Sequence, residues 1–352
     1  MEYIEFTELI PPHIKKILER LKKAIGEIQN GKIPEDGNRG MSTEQWYKAI
    51  EKQFVFSPEE KKVFPWELTD PLGAHRYQKT SRLVHQYKNR ALILTTARCF
   101  GFCRFCFRRA FTGGSTGWIS QEETDQACRY ISAHPEIQEV LLTGGDPLTA
   151  SLSQLEKLFS ELRKANSSVL IRVGTRAPVF NPGIFTEDLF SLLQSFKPLW
   201  LIPHINHPAE ISRVYSPETY GVLDTAINRG IPVQSQTVLL KGVNDAVDVL
   251  HCLFHELTCI GVKPGYLFQC DMVPGTSHLR VPVEEGFLLY QNLKKELSGL
   301  STPVYAVDLP GGGGKFNLLQ LNPEMQETKV TANKEFYVFQ KADGSQWQYP
   351  KH

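Results

Sequence analysis

The stretch ALILTTARCFGFCRFC, residues 91–106, runs from an apolar segment directly into three cysteines. Cys99, Cys103 and Cys106 follow the spacing Cys-x3-Cys-x2-Cys. Thiolates hold iron–sulfur clusters, and a [4Fe–4S] cube bound by three cysteines leaves one iron open to another ligand. A structural zinc site would need a fourth ligand, which is missing nearby at finger spacing, and a redox Cys-x2-Cys pair would leave Cys99 without a role. The spacing therefore favours a [4Fe–4S] cluster with one open iron.

Further apolar runs recur along the chain and predict strands at 91–96, 139–143, 169–173, 199–205, 233–239 and 265–271. Amphipathic stretches such as 153–165, 185–196 and 217–229 lie between them and predict helices. Six strands alternating with helices predict an α/β fold with a parallel sheet and right-handed crossovers. The count suits a partial (β/α)6 barrel, with an open doubly wound sheet as the alternative. In either fold, ligands bind at the carboxyl ends of the strands.

The chain divides by pattern into three parts. Residues 1–84 predict an N-terminal helical extension, because apolar residues recur at helical spacing in its first helix. Residues 85–290 hold the predicted barrel. Residues 291–352 form a C-terminal segment with a short apolar run at 304–307 and a β-like stretch at 335–340.

Composition excludes several classes of protein. A net charge of +1 over 352 residues gives no reason to expect a nucleic acid or an acidic membrane as partner. No apolar run approaches the roughly 20 residues that span a bilayer, and the first residues lack the apolar core of a secretory signal. Seven cysteines, an odd number, argue against a disulfide framework. We therefore expect a cytoplasmic protein without a membrane partner.

The cysteine spacing, placed after the first strand of an α/β barrel, resembles the signature of the radical S-adenosylmethionine (SAM) superfamily. Phe105, directly before the third cysteine, fits that signature as well. The resemblance implies a partial radical SAM barrel. It also implies that the open iron binds the amino and carboxylate groups of SAM.

Three further positions are candidates for binding SAM. Gly144, Gly145 and Asp146 follow the second predicted strand and resemble the motif that holds the SAM amino group. A glycine pair lets a ligand approach the backbone closely, and a carboxylate beside it can balance cationic parts of SAM. His204 and Gln236 resemble SAM contacts of the matching subfamily. The alternative for each position is an ordinary turn or a core residue.

The segment DLPGGGGK, residues 308–315, is the second unusual feature. It fails as a phosphate-binding P-loop twice, because Leu309 stands at the first glycine position and Phe316 follows the lysine. A lysine on a mobile glycine loop can instead form a Schiff base with pyridoxal 5′-phosphate (PLP). Together with the cysteine motif, the segment resembles lysine 2,3-aminomutase and its relatives over residues 80–316. The resemblance implies that Lys315 binds PLP.

The same resemblance assigns the ends of the substrate. Arg108 resembles the arginine that grips the substrate carboxylate, a task that suits a planar guanidinium, and its neighbour Arg109 is an alternative. Asp271 and Asp308 match two aspartates that hold the distal ammonium of lysine. A cation held in a partly dry site needs opposite charge. Two carboxylates would repel glutamate.

The PLP phosphate has a less complete set of candidates. Arg90 resembles a phosphate ligand of the family. Gln86 stands where relatives tend to carry a basic residue, so the resemblance implies that phosphate binding is weaker or organised differently here. Arg176 is a candidate for a compensating contact.

The resemblance implies an isomerase that interconverts L-α-lysine and L-β-lysine, with an electron donor such as flavodoxin or ferredoxin. A homo-oligomer is compatible with it, but residues 320–352 lack the zinc-binding cysteines of the clostridial-type enzymes. Three alternatives remain: the branch that makes β-lysine for elongation factor P, an aminomutase for another amino acid, and a non-catalytic iron–sulfur protein for electron transfer or sensing. Lys315 disfavours the last.

Overall fold

The computed structural model describes residues 6–34, 41–318, 328–333, 335–341 and 344–351. Its helices are α1 (Pro12–Gln29), α2 (Thr43–Lys52), α3 (Gln121–Ala133), α4 (Leu152–Ala165), α5 (Ala177–Phe180), α6 (Glu187–Ser195), α7 (Pro217–Asn228), α8 (Val247–Ile260) and α9 (Val283–Glu296). Its strands are β1 (Leu83–Tyr87), β2 (Arg90–Thr96), β3 (Glu139–Gly144), β4 (Leu170–Thr175), β5 (Leu199–Pro203), β6 (Gln234–Leu239), β7 (Lys263–Gln269), β8 (Val304–Leu309), β9 (Gly314–Asn317), β10 (Thr328–Ala332), β11 (Phe336–Lys341) and β12 (Gln346–Pro350).

Strands β2 to β8 form a curved parallel sheet in chain order, with at least one helix between each strand and the next. Parallel bridges at Leu201–Val233 and His204–Gln236 join β5 to β6. The predicted partial (β/α)6 barrel is therefore confirmed, and all six predicted strands form with ends shifted by at most two residues. The run at 304–307 is longer than expected, because β8 pairs with β7 as a further parallel strand. Antiparallel β1 and β9 form the two edges of this sheet.

The two faces of the barrel sheet differ in burial. In β3, Val140 and Leu142 are fully buried under the helices, whereas Leu141 and Thr143, which alternate with them, are half-buried. The same alternation holds in β4 and β6. Because successive side chains point to opposite faces of a strand, the half-buried set shares the concave inner face. That face can therefore receive ligands, unlike the packed interior of a closed eight-stranded barrel.

Helices α1 and α2 pack together and onto the barrel through Ile14, Ile17 and Leu21, as the apolar spacing predicts. At the other end of the chain, β10, β11 and β12 form a small antiparallel sheet, in which β11 is the predicted β-like stretch. This sheet contacts β8 through β12. Within the described ranges, none of the helices is both long enough and apolar enough to cross a membrane.

Candidate active site

The three cysteines lie on the loop that follows β2, at the carboxyl end of the barrel. Their side chains are half-buried, and burial raises the pKa of all three thiols, that of Cys103 to about 11. The backbone N–H of Cys106 donates to the Cys103 carbonyl at 3.0 Å, which closes a tight turn between them. In the part of the chain that the structure describes, no three His, Cys, Asp or Glu side chains are arranged to hold a single metal ion. The thiols are therefore not gathered around one point, as zinc ligands would be.

The N-terminal segment clamps this loop through a buried carboxylate that the sequence did not reveal. Glu60 is fully buried and accepts two hydrogen bonds from Arg104, at 2.7 and 2.5 Å. Arg109 is also buried; it lies 3.5 Å from Glu60 and donates to the Pro274 carbonyl at 3.1 Å. Arg109 is thus occupied by structural partners, which argues against it as the substitute for Arg108 in carboxylate binding.

We expect Glu60→Gln to lower the free energy of unfolding by about 3–5 kcal/mol, because it leaves two buried guanidinium groups without their counter-charge. The neighbouring Glu59 is exposed, so Glu59→Gln is a matched control that should change stability little. Denaturant unfolding of both variants measures the difference. Equal stabilities would contradict the role assigned to Glu60.

The glycine pair after β3 packs against the protein's own backbone. Gly144 has a φ of 124°, and a Cβ on Gly144 or Gly145 would collide with the carbonyl oxygens of Thr96 or Arg98, respectively. The N–H groups of Gly145 and Asp146 donate to those same carbonyls. The glycines therefore let β3 approach the start of the cysteine loop, a task that only residues without a side chain can fulfil here.

Asp146 is buried and its carboxylate is occupied by the protein. It accepts from the Thr175 hydroxyl at 2.8 and 2.9 Å, from the Arg176 N–H at 2.8 Å and from the Leu148 N–H at 3.0 Å. These bonds hold the carboxyl ends of β3 and β4 together. Asp146 thus organises the rim beside Cys99, and its effect on a cationic ligand there would be electrostatic.

His204 and Gln236 are brought together, since they form a parallel bridge between neighbouring strand ends. Burial lowers the pKa of His204 to about 3, so the ring is neutral at pH 7 and its Nε2 shares a hydrogen bond of 2.9 Å with Asn206. The His204 ring lies 5.4 Å from that of Phe105 on the cysteine loop. His204 and Gln236 therefore both lie near the cysteine loop, at the carboxyl end of the barrel strands.

Lys315 and Asp308 face each other across the β8–β9 pair, with Nζ and Oδ2 3.3 Å apart. Nζ also lies 3.8 Å from the centre of the Phe268 ring. Burial lowers the pKa of Lys315, although Asp308 and Asp271 oppose that shift. Burial and the Asp308 charge raise the pKa of Asp271 to about 8. The structure therefore gathers the predicted lysine and both predicted aspartates into one charged cluster.

The glycine tract before Lys315 is held by contacts with the N-terminal segment and with β12. Its Gly311 N–H donates to the Pro71 carbonyl at 2.8 Å, and the Tyr77 hydroxyl donates to the Gly312 carbonyl at 2.8 Å. A Cβ on Gly313 would lie 2.6 Å from the Trp347 ring. The glycines are needed because the N-terminal segment and β12 approach the tract so closely.

Arg90 reaches the lysine through a tyrosine that the sequence pattern did not single out. Tyr87 accepts a hydrogen bond from the Lys315 backbone N–H at 2.8 Å, and the Arg90 guanidinium lies 4.2 Å from the centre of its ring. Gln86 donates to the Gly312 carbonyl at 3.1 Å. The apolar alternation of β1 was too short to mark Tyr87 as part of the site. These contacts join the sheet edges β1 and β9.

Arg108 lies between the cysteines and the charged cluster. Burial lowers its pKa, while Cys106, Asp70 and Asp271 are near enough to oppose that shift. Its Nε is buried and has no hydrogen-bond partner among the residues that the structure describes. A buried donor without a partner is costly. Arg108 is therefore suited to receive a carboxylate from a ligand.

The expectation for Arg176 is wrong. It was predicted as a compensating contact for the PLP phosphate near Arg90, but its guanidinium donates to Cys103 Sγ at 2.9 Å. Its other partners are Glu210 and Gln53, at the same end of the barrel. The prediction failed because Arg176 follows β4, and nothing in its local sequence shows which way its long side chain turns.

Comparison with known proteins decides the family. The model of the radical SAM superfamily matches residues 93–252. A protein of Treponema pallidum (strain Nichols) named "Putative L-lysine 2,3-aminomutase" is 48% identical over 303 residues, which are 86% of this chain and 84% of that one. This chain is a radical SAM protein of the lysine 2,3-aminomutase family. The L-lysine 2,3-aminomutase of Clostridium subterminale is 37% identical over 89% of this chain and 73% of its own. A glutamate 2,3-aminomutase of Clostridioides difficile is 35% identical over a region that covers 71% of this chain and 58% of that protein.

This chain has residues that fit each of the three cofactors expected for the family, a [4Fe–4S] cluster, SAM and PLP. Three thiols on one loop, with a guanidinium at Cys103 Sγ, suit an anionic [4Fe–4S] cluster. The neutral His204 beside Gln236 can exchange hydrogen bonds with SAM. Lys315 over the Phe268 ring, with Arg90 and Tyr87 beside it, offers an amine, an aromatic face and a cation, which suit PLP.

Proposed function

We propose that this chain is a lysine 2,3-aminomutase, which interconverts L-α-lysine and L-β-lysine with a [4Fe–4S] cluster, SAM and PLP as cofactors. The observation that carries the choice of substrate is the pair of carboxylates, Asp271 and Asp308, gathered beside Lys315. The comparisons point the same way, because the relatives named for lysine are 48% and 37% identical over 86% and 89% of this chain, whereas the one named for glutamate is 35% identical over 71% of it. A second carboxylate on the substrate would be repelled by Asp308 and would further disfavour ionisation of Asp271, whereas an ammonium would be stabilised by both groups.

The cofactors supply a radical able to take hydrogen from an unactivated carbon and a carrier for the nitrogen that moves from C2 to C3. The chain's own residues supply placement. Arg108 would hold the α-carboxylate near the cluster end, and Asp271 and Asp308 would hold the ε-ammonium at the other. Holding both ends of a flexible substrate fixes C3 relative to the radical source, which is worth several kcal/mol in effective concentration.

Lys315 has the properties of an amine that binds an aldehyde cofactor. Its lowered pKa leaves more of the Nζ as free amine at neutral pH than an exposed lysine would have. Nζ donates a hydrogen bond to the Asp308 carboxylate, 3.3 Å away, which holds the amine in place. A free Lys315 Nζ would lie beside the two carboxylates, which would stabilise its protonated form.

The test is an anaerobic assay of the reconstituted protein with PLP, SAM and dithionite, in which lysine is followed by chromatography and glutamate is offered in parallel. Formation of β-lysine, with glutamate unchanged, is the expected result. Cleavage of SAM with no change in lysine would reject the proposed substrate. A protein that holds the cluster but never cleaves SAM would reject the reaction class.

We expect lysine binding to strengthen with pH between about 6 and 8. The pKa of Asp271 is raised to about 8, so the group is mainly protonated at neutral pH before the substrate binds. The ε-ammonium favours the carboxylate, so binding releases a proton, and affinity rises by at most about tenfold per pH unit below that pKa. Asp308, Lys315, Arg108 and Arg280 also act on this group and will broaden the transition.

Calorimetric titration of the holoenzyme with lysine, in buffers of different ionisation enthalpy, measures the released proton. Asp271→Asn should bind lysine more weakly and lose most of the pH dependence, since its amide does not ionise. Wild-type affinity that is flat with pH, or an Asn variant with an unchanged slope, would contradict the assignment.

We further propose that the protein works in the cytoplasm and takes its electron from a small donor of the flavodoxin or ferredoxin kind. Cysteines in the described residues are all free thiols, which suits a reducing compartment. The family resemblance also leads us to expect a homo-oligomer. Measurement of the molar mass in solution tests this expectation.

A further inference from the structure

Arg176 occupies a built site beside one cysteine of the proposed cluster. Its Nη1 lies 2.9 Å from Cys103 Sγ, and its Nη2 donates to Glu210 at 2.7 Å and to Gln53 at 2.6 Å. The side chain is only 5% exposed. The guanidinium is thus fixed by a forked set of bonds, so its N–H group stays aimed at the sulfur.

Three aromatic rings complete the surroundings of this cation. The centres of the Phe54, Phe105 and Phe180 rings lie 5.1, 5.2 and 4.9 Å from the guanidinium carbon. Water is largely kept away by these rings, so the Arg176 charge acts on Cys103 with little screening. The distance at which it acts is short compared with the screening length of salt in water.

Glu210 is the counter-charge of Arg176 and is held independently of it. It is fully buried, accepts from the Gln53 amide at 3.0 Å and accepts from the Asn206 backbone N–H at 2.7 Å. Gln53 belongs to the N-terminal segment and Asn206 to the loop after β5. The carboxylate would therefore stay in place if the arginine were replaced, and its amide isostere would keep the volume and the bonds donated to one of its two oxygens.

We propose that Arg176 is a positioning residue that raises the reduction potential of the cluster, with Glu210 limiting the size of that effect. Reduction adds one electron, taken from the external donor, and converts [4Fe–4S]²⁺ to [4Fe–4S]⁺ without a change of ligands. The cluster with its thiolates becomes one charge more negative. A fixed cation and an N–H···S hydrogen bond stabilise the more negative state, whereas a nearby carboxylate opposes it.

This inference rests on the cluster of the proposed function but not on which amino acid is rearranged. The test is a redox titration followed by electron paramagnetic resonance, after iron and sulfide analysis of each protein. A wild-type protein that takes up no cluster would refute the proposed function itself. With a cluster present, the potentials of the variants decide the role of Arg176 alone.

Arg176→Gln is expected to shift the midpoint potential to more negative values, because it removes the positive charge. Arg176→Lys should shift it less, because lysine keeps the charge and loses only the forked hydrogen bonds of the guanidinium. Glu210→Gln is expected to shift it in the opposite direction, since the Arg176 charge is then less neutralised. Arg82→Gln is the control: Arg82 is similarly buried and paired with Glu123 at 2.9 Å, and the bonds it donates go to Glu123 and backbone carbonyls.

Loosening of the fold alone would not move the potential in opposite directions for the two isosteric variants. An Arg176→Gln potential equal to or above that of the wild type would overturn the proposal. A shift of the Glu210→Gln potential in the negative direction would overturn it as well. If Arg176→Gln does not retain the cluster, the sign of the Glu210→Gln shift alone supports or overturns the proposal.

Discussion

Replacement of Lys315 by alanine is expected to lower β-lysine formation by roughly 10³-fold or more, the order seen when a covalent group of an active site is removed. Lys315 is the amine that the structure places between an aromatic face and a carboxylate, at 3.8 Å from the Phe268 ring centre and 3.3 Å from Asp308. The variant should also lose the visible absorbance of covalently held PLP. Its cluster content should be unchanged, because the cysteine loop follows β2 whereas Lys315 is held by Tyr87 of β1 and Asp308 of β8.

Lys315→Arg is the matched control for charge. A guanidinium keeps a cation beside Asp308 but does not attack an aldehyde at neutral pH. Both variants should therefore be inactive, and a small primary amine added to Lys315→Ala should restore part of the activity. Turnover by Lys315→Ala at the wild-type rate, with PLP absorbance intact, would show that another residue binds the cofactor.

Replacement of Cys106 by alanine is expected to abolish both SAM cleavage and β-lysine formation. Each cysteine of the motif would hold a different iron, so one missing thiolate opens a second corner of the cluster and favours its loss. Iron and sulfide analysis after reconstitution should show a large deficit. PLP binding should survive, because Lys315 lies on β9 and is held there by Tyr87 and Asp308.

Cys128 provides the matched control for that experiment. It is a half-buried free thiol on α3 whose pKa is raised to about 11, mainly by burial, and it lies outside the motif. Cys128→Ala should keep the cluster and the activity of the wild type. Loss of iron from both variants to the same extent would mean that the motif is not the ligand set.

Lys315→Ala and Cys106→Ala are expected to lose different cofactors, and this difference distinguishes a local defect from general unfolding. Lys315→Ala loses PLP and keeps iron, whereas Cys106→Ala loses iron and keeps PLP. A protein that merely unfolds would lose both. The separation follows from the fold, because the cysteine loop follows β2 whereas the glycine tract joins β8 to β9.

Several parts of the site could be predicted from sequence because their geometry is local. Cys99, Cys103 and Cys106 fall within eight residues, so one loop brings them together in any fold that has a strand before it. The alternation of apolar runs and helices likewise predicted the parallel sheet. Parallel strands then place the residues after their carboxyl ends on one rim, which is why Asp271 could be assigned to the site.

Other predictions failed because long side chains and distant segments decide them. Arg176 turns toward Cys103 rather than toward Arg90, and its direction depends on Glu210 and Gln53, far away in sequence. Arg108 and Arg109 are neighbours with the same chemistry, yet only Arg109 meets Glu60. No local pattern separates such a pair, since the difference arises from where the N-terminal segment packs.

The sequence by itself determined the chemistry available to this protein: three thiolates at cluster spacing, a lysine after a glycine tract, and carboxylates at strand ends. Only the tertiary structure decided which charges are free and which are neutralised. Glu60, Glu210 and Asp146 are satisfied by partners outside the substrate site, whereas Lys315 pairs with Asp308 inside it and Arg108 keeps a buried Nε without a partner among the described residues. The reason is physical: burial makes an unpaired charge costly, so partners recruited from distant segments settle which charged groups are left for a ligand.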